Sequence, residues 1–315
     1  MKKERGRFAP SPSGRMHLGN LFSSLLAWLD VKSLGGDMVL RIEDLDTDRC
    51  FLEYTKLLAD DLAWLGLDWD EGWGMGGDRG PRCQSKRGDF YAKCFQKLEG
   101  RGLVYPCYCS RAQRLAASAP HLGDGRRTYD GRCYRLSQDE RKLLEASGRK
   151  PAWRVRVPER EISFTDGHYG SVRENLAQET GDLILRRSDG VYAYQLAVTA
   201  DDGAMGITRV VRGRDLLSST PGQLWLMEEL GYPAPSYIHL PLLSASGGRK
   251  LSKRDGDLNM DTLRQRYTPR ELTGLLAFLA GLAPSPFSVS PSELTEAFSW
   301  DRVPRDDIIL TPELI

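Results

Sequence analysis

No stretch of this 315-residue chain approaches the roughly 18 consecutive apolar residues of a membrane-spanning helix. Its basic opening, MKKERGRFAPS, lacks the apolar core of a secretory signal. A spanning helix and an export signal are thereby excluded as expectations: the expected compartment is the cytoplasm, and no membrane partner is expected. Charge of one sign is also missing, since 44 Lys and Arg against 43 Asp and Glu leave a formal net charge of +1. This excludes a uniformly basic nucleic-acid coat, and net charge alone decides nothing further; DNA is not among the expected partners. Local basic patches remain open at RRSDG, VVRGRD and GGRKLSKR. Internal repeats and long low-complexity segments are absent. Cysteine is sparse, six in all. Cys50, Cys83 and Cys94 stand singly on or near predicted helices and read as buried small apolar residues of a reducing compartment. Cys107, Cys109 and Cys133 are clustered and require a separate explanation.

The length is that of about two domains. GRFAPS reads as a short strand, and the segment after His17 places Leu18, Leu21, Phe22, Leu25 and Leu29 at helical spacing before Gly35 and Gly36 stop it. DMVLRIED is a second strand, and YTKLLADDLAWLGL a second amphipathic helix. Strand and helix in alternation predict a parallel sheet covered by helices. After Gly102 the rhythm breaks into a cysteine cluster, a Gly- and Arg-rich loop and short strand-like pieces such as AWRVRV, as expected of an insertion. From about Val191 it resumes with VYAYQLAV, ITRVVRG, the helix GQLWLMEELG and the strand SYIHLPLL. The expected division is residues 1–102 and 191–245 for the two halves of an α/β catalytic domain, 103–190 for the insertion, and 246–315 for a loop and small helical region.

In an open parallel sheet, ligands sit at the carboxyl ends of the strands, where a turn enters a helix whose free N–H groups attract phosphate. PSPSGRMHLGN occupies such a turn: Pro10 and Pro12 stiffen it, Gly14 and Gly19 permit close backbone approach, and His17 and Asn20 can hydrogen-bond a polyphosphate or ribose. A second stretch, GGRKLSKRDGD, presents Lys250, Ser252, Lys253 and Arg254 after a glycine pair, the composition of a mobile loop that closes cations over a developing pyrophosphate. A third is the cysteine cluster. Three thiolates in a reducing compartment favour structural zinc over a disulfide, but a closed site needs a fourth ligand, for which His121 and Tyr129 compete.

HLGN with KLSKR resembles the paired signature motifs of class I aminoacyl-tRNA synthetases. RFAPSPSGRMHLGN is close to the form of the glutamyl and glutaminyl branch, and RIEDLDTDR, YQLAVTADD and VVRGRDLL follow in the order of that branch. Asn20 and Arg254 depart from the family pattern, standing where it has a second histidine and a final serine. The resemblance implies a Rossmann-type α/β catalytic domain with a zinc-bearing α+β insertion and a small C-terminal helical region. It assigns Arg7, Arg212 and Glu43 to the carboxylates and ammonium of glutamate, with Ala9, Ser11 and Tyr194 lining the pocket. His17, Gly19, Asn20 and Lys253 are assigned to ATP, with His17, Asn20, Lys250 and Lys253 as the catalytic set and Mg²⁺ accompanying ATP.

The Tyr-x3-Cys spacing resembles the zinc site of the glutamyl-queuosine tRNA(Asp) synthetases, which implies Cys107, Cys109, Tyr129 and Cys133 as ligands. About sixty residues follow KLSKR, too few for the anticodon-reading helical domains of full-length glutamyl-tRNA synthetases. The expected activity is therefore ATP-dependent activation of L-glutamate and its transfer to queuosine in the anticodon loop of tRNA(Asp). The alternative is a truncated glutamyl-tRNA synthetase charging a tRNA 3′ end.

Overall fold

A computed structural model describes residues 3–110, 128–245 and 258–311. The chain opens with strand β1 (Arg5–Phe8), helix α1 (Leu18–Lys32), β2 (Asp37–Leu40), α2 (Leu52–Trp64), the short β3 (Glu71–Gly72) and α3 (Gly88–Gly100). β1, β2 and β3 form a parallel sheet in that order. All four residues of β1 are buried, as expected of a strand covered on both faces. α1 buries Leu18, Leu21, Phe22, Leu25 and Leu29, the stripe that the sequence periodicity marks.

The region after α3 has a different architecture. β4 (Val104–Cys107), helix α4 (Gln138–Ala146), β5 (Ala152–Val155), the hairpin β6 (Glu161–Asp166) and β7 (Gly170–Asn175), and β8 (Leu183–Arg186) follow in order. β4, β5 and β8 make an antiparallel sheet, and β6 pairs antiparallel with β7.

The parallel α/β rhythm then returns through α5 (Tyr194–Ala204), β9 (Arg209–Gly213), α6 (Thr220–Leu230) and β10 (Ser236–Leu240). β9 and β10 pair in parallel, and the Thr208 N–H donates to the Arg5 carbonyl at 2.9 Å, setting β9 beside β1. VYAYQLAV supplies the first turns of a helix here. Leu196, Ala197, Val198 and Ala200 are all buried, and burial on every side erases the polar face that would mark a helical period.

The last described elements are β11 (Leu243–Ala245), α7 (Met260–Arg266), α8 (Pro269–Leu279), α9 (Pro291–Leu294) and β12 (Ile308–Leu310), which pairs in parallel with β11. Leu272, Leu275, Leu276 and Leu279 of α8 join the same apolar core as α1, so the C-terminal helices brace the helix whose first turn faces the candidate site. No described helix is long and apolar enough to cross a membrane.

The bracing depends on a close approach at Gly274 of α8, where an added Cβ would lie 1.5 Å from the Phe287 carbonyl oxygen. Gly274→Ala should therefore destabilise the protein by about 1–3 kcal/mol, the range for overpacking. Chemical denaturation read by tryptophan fluorescence checks this, and an unchanged midpoint would contradict the packing described.

Candidate active site

The turn between β1 and α1 is built by its own capping groups. The Gly19 N–H donates to Nδ1 of His17 at 3.1 Å, and the His17 N–H donates to Oδ1 of Asn20 at 3.1 Å, a reciprocal cap on the first turn of α1. Gly19 allows this because a Cβ there would press on the imidazole at 3.1 Å. With Nδ1 accepting, the neutral imidazole carries its proton on Nε2. Asn20, where the family pattern has a second histidine, holds the backbone of the turn through its side-chain oxygen. That use was not legible from motif spacing.

A cavity of about 590 Å³ opens beside this turn. β1 and the loop after it contribute Arg7, Ala9 and Ser11; the start of α1 contributes His17, Gly19 and Asn20. Glu43 enters from the loop after β2, Tyr194 from the first residue of α5, and Arg212 from β9. The Glu43 N–H donates to the Pro10 carbonyl at 3.0 Å, fixing one loop against the other. Nine sequence-selected residues thus face one space. Lys250 and Lys253 lie outside the described residues, as does His121. The segments flanking the lysines reach the same cavity: Leu243 of β11 lines it, Asn259 forms a β-bridge with His17, and the Met260 N–H donates to the Met16 carbonyl at 3.0 Å.

Beneath the cavity runs a buried charge network centred on Arg41, which sequence reading did not single out. Arg41 is fully buried and donates to Asp202 at 2.6 Å and to Glu43 at 3.1 Å. Arg7 Nε lies 3.4 Å from Asp202, and Arg7 also donates to the Val211 carbonyl. Burial pushes the Glu43 carboxyl above its ordinary value, and Arg41 and Arg7 only partly counter this. Burial acts on Asp202 in the same sense, but there Arg41 and Arg7 prevail and the carboxyl is held low. Arg212 donates to Gln223 at 2.7 Å, Thr220 at 2.8 Å and the Leu216 carbonyl at 3.3 Å, and its Nε donates to His239 at 3.1 Å. Of the five guanidinium N–H groups, one on Nη1 remains for a ligand.

A second cavity, of about 630 Å³, shares Ser11, Ser13, Glu43 and Tyr194 with the first and extends to Arg49, Arg187 and Tyr192. Cys50 also lines it and is half-buried, unlike the buried Cys83 and Cys94, so the expectation of an apolar burial role fits two of the three single cysteines.

The remaining cysteines come together away from these cavities. The thiols of Cys107, Cys109 and Cys133 lie within 4.8 Å of one another. The Tyr129 hydroxyl is 3.5 Å from Cys107 Sγ and 3.6 Å from Cys109 Sγ, and it accepts from the Cys133 N–H at 3.1 Å. Hydrogen bonding from Cys133, aided by Tyr129 and opposed by burial, holds the Cys107 thiol below its ordinary value. The Arg154 guanidinium sits 3.9 Å over the Tyr129 ring, adding positive charge beside the cluster. Three soft donors and a phenol oxygen around one point fit a tetrahedral, thiolate-binding metal ion.

A family model described as tRNA synthetases class I (E and Q), catalytic domain, matches residues 3–305. The chain is 46% identical over 313 residues to the glutamyl-Q tRNA(Asp) synthetase of Symbiobacterium thermophilum, covering 98% of this chain and 97% of that protein. Its identity to the glutamate–tRNA ligase 2 of Syntrophus aciditrophicus is 39%, covering 95% of this chain and 62% of the ligase. Among solved structures, a glutamate tRNA ligase from Elizabethkingia meningosepticum in complex with its amino acid superposes with a TM-score of 0.83 at 30% identity, over 99% of this chain and 68% of the other.

The cysteine cluster yields a direct check. Purified protein should contain about one zinc per chain, as a single tetrahedral site requires, and Cys133→Ser should lose it. Under competition with a chelator, Tyr129→Phe should release the metal faster than wild type and His121→Ala should not. The reverse order would give the fourth position to His121.

Proposed function

The chain belongs to the class I (E and Q) tRNA synthetase catalytic-domain family, and from that premise we propose that it activates glutamate with ATP and transfers it to queuosine in the anticodon loop of tRNA(Asp). The observation that carries the reading is the single cavity lined by Arg7, Glu43, Tyr194 and Arg212 on one side and by the capped first turn of α1 on the other. An amino acid bearing two carboxylates and one ammonium needs guanidinium partners and an acid, and a nucleotide needs an N-terminal helix turn. Both sets of groups face the same space.

In the proposed first step the α-carboxylate oxygen attacks the α-phosphorus of ATP, the bond to the bridging oxygen of the leaving group breaks, and pyrophosphate departs; Mg²⁺ accompanying ATP would neutralise part of the phosphate charge. Arg7 and Arg212 hold the side-chain carboxylate, Glu43 receives the ammonium, and Ala9, Ser11 and Tyr194 complete the pocket. His17 Nε2 and the side-chain NH₂ of Asn20 receive the phosphates, which approach the backbone closely at Gly19, and Lys250 and Lys253 neutralise the charge that develops on the leaving group. In the second step a hydroxyl of the queuosine ring attacks the anhydride carbonyl, the bond from that carbon to the phosphate oxygen breaks, and AMP leaves with its phosphate taking up the hydroxyl proton. The second cavity, which shares its Glu43 and Tyr194 wall with the first, is the space proposed for the incoming nucleoside.

Cys107, Cys109, Tyr129 and Cys133 would hold a zinc ion whose role would be structural, organising the insertion proposed for residues 103–190. The queuosine assignment is supported by relatives of that name which match this chain along nearly the full length of both. A glutamyl-tRNA synthetase activity at a tRNA 3′ end would use the same amino-acid pocket and differ only in the hydroxyl that attacks.

Glutamate-dependent exchange of pyrophosphate into ATP should occur without RNA, with aspartate a poor substrate because its shorter side chain cannot reach the arginines while its ammonium stays on Glu43. Glu43→Gln should lower kcat/KM by about 10- to 100-fold, the value of a charged hydrogen bond. Because Glu43 must be ionised to receive the ammonium and burial raises its pKa, KM for glutamate should increase as the pH falls toward that pKa. Glu43→Gln should flatten this dependence. An isolated anticodon stem-loop should accept glutamate only when it carries queuosine. Charging of unmodified tRNA(Glu), with none on the modified stem-loop, would establish the 3′-end activity instead.

A further inference from the structure

Arg212 is held at its Nε by a histidine from the neighbouring strand, and that histidine is held in turn by an acid from the insertion. His239 lies on β10 and Asp166 at the end of β6, and both side chains are fully buried. His239 Nδ1 and Asp166 Oδ2 are 2.6 Å apart, while His239 Nε2 faces Arg212 Nε at 3.1 Å and the Thr220 hydroxyl at 3.3 Å. We propose that Asp166 and His239 are positioning residues that fix the Arg212 guanidinium for the substrate carboxylate by locking His239 in its neutral Nδ1–H tautomer. This rests on the assignment of Arg212 to glutamate.

The tautomer follows from donor and acceptor counting. An arginine Nε–H donates only, so Nε2 must be the acceptor; a neutral imidazole then carries its proton on Nδ1 and donates it to the carboxylate. The groups that face the imidazole agree. Asp166 on β6 favours charge on the ring, whereas Arg212 on β9 and Arg7 on β1 disfavour it, Tyr237 on its own strand stacks parallel to it at 6.2 Å, and Thr220 at the start of α6 is uncharged. Burial, the largest influence, joins the arginines in holding the imidazole below its ordinary value, against Asp166. A protonated ring would turn a donor toward Arg212 and add a further cation to Arg7 and Arg212 beside the pocket.

The far end of the chain is equally constrained. Asp166 Oδ1 accepts from the His168 N–H at 3.0 Å, the Tyr169 N–H at 2.9 Å and the His239 N–H at 3.3 Å, the last also lying 3.2 Å from Oδ2. An asparagine at 166 keeps all three donors only with its oxygen in the Oδ1 position, which turns its NH₂ toward Nδ1. The imidazole then has to carry its proton on Nε2, pointing a donor at the donor on Arg212. The loss of activity when the acid of a serine-protease triad becomes an amide has this same origin, a wrong tautomer in unchanged geometry.

The test combines kinetics with a direct reading of the proton. Asp166→Asn should raise KM for glutamate in pyrophosphate exchange by about 10-fold or more, as loss of a charge-assisted contact does, while KM for ATP stays within about 2-fold. His239→Gln retains an acceptor for Arg212 and should come closer to wild type than His239→Phe. With four histidines in the chain, imidazole ¹⁵N spectra can be assigned by variants. They should place the His239 proton on Nδ1 in wild type and on Nε2 in Asp166→Asn. A folded Asp166→Asn with wild-type KM for glutamate, parallel changes for both substrates, or an Nε2–H wild-type ring would overturn the proposal. Absence of any glutamate-dependent exchange in wild type would overturn the functional assignment instead, and the ¹⁵N spectra would still decide the tautomer.

Discussion

The candidate site depends on a guanidinium with no access to water. Arg41 stands at the end of β2 and reaches Asp202 of α5 and Glu43 of its own loop, so one side chain joins the first half of the parallel sheet to the second. Burial opposes its charge, but Asp202, Glu43 and Asp201 outweigh that cost. An unpaired buried cation would destabilise the fold by several kcal/mol, so the acids beside it are structural requirements as well as site features. The neighbouring Asp201 extends the network to α3, accepting from Arg87 at 2.7 Å, Gln84 at 2.9 Å and Tyr91 at 2.9 Å. The charged groups at the cavity wall are therefore fixed by their partners, the condition under which electrostatic preorganisation is effective.

This foundation also explains why the acid and the arginines at the cavity wall can coexist without neutralising one another. Arg7 is held by Asp202 and a backbone carbonyl, and Arg212 by the strand and helix beside it. Glu43 shares Arg41 and retains part of its acceptor capacity for a ligand. Each group is oriented by partners outside the cavity. Asp166 of the antiparallel β6–β7 hairpin contributes to this orientation through His239, so a segment that interrupts the parallel α/β rhythm is still bonded to the cavity wall at Arg212.

Much of the architecture was legible in the sequence because its signals are local. The stripe from Leu18 to Leu29 gives α1, alternation of strand and helix gives the parallel sheet, and the position of PSPSGRMHLGN at a strand-to-helix turn points to the cavity that the structure contains. The residues that sequence left unnoticed act over long separations. Arg41 meets Asp202 and His239 meets Asp166 only after the sheet is assembled, and nothing in RIED or SYIHL states which polar side chain is buried. Asn20 is a different case: its position was marked, but its side-chain oxygen caps the helix, a use that motif comparison does not convey. The helix beginning at Tyr194 is hidden for a further reason, since the unbroken burial of residues 196–202 leaves no polar face to count.

A crystal structure with a non-hydrolysable sulfamoyl analogue of glutamyl-adenylate tests whether this preorganised cage and the first turn of α1 together hold an activated glutamate. The ammonium should lie within hydrogen-bond distance of Glu43, the side-chain carboxylate on Arg7 and the remaining Nη1 hydrogen of Arg212, and the sulfamoyl group beside the first turn of α1. An analogue bound outside this cavity, or bound within it with its ammonium toward the arginines, would overturn the proposed assignment.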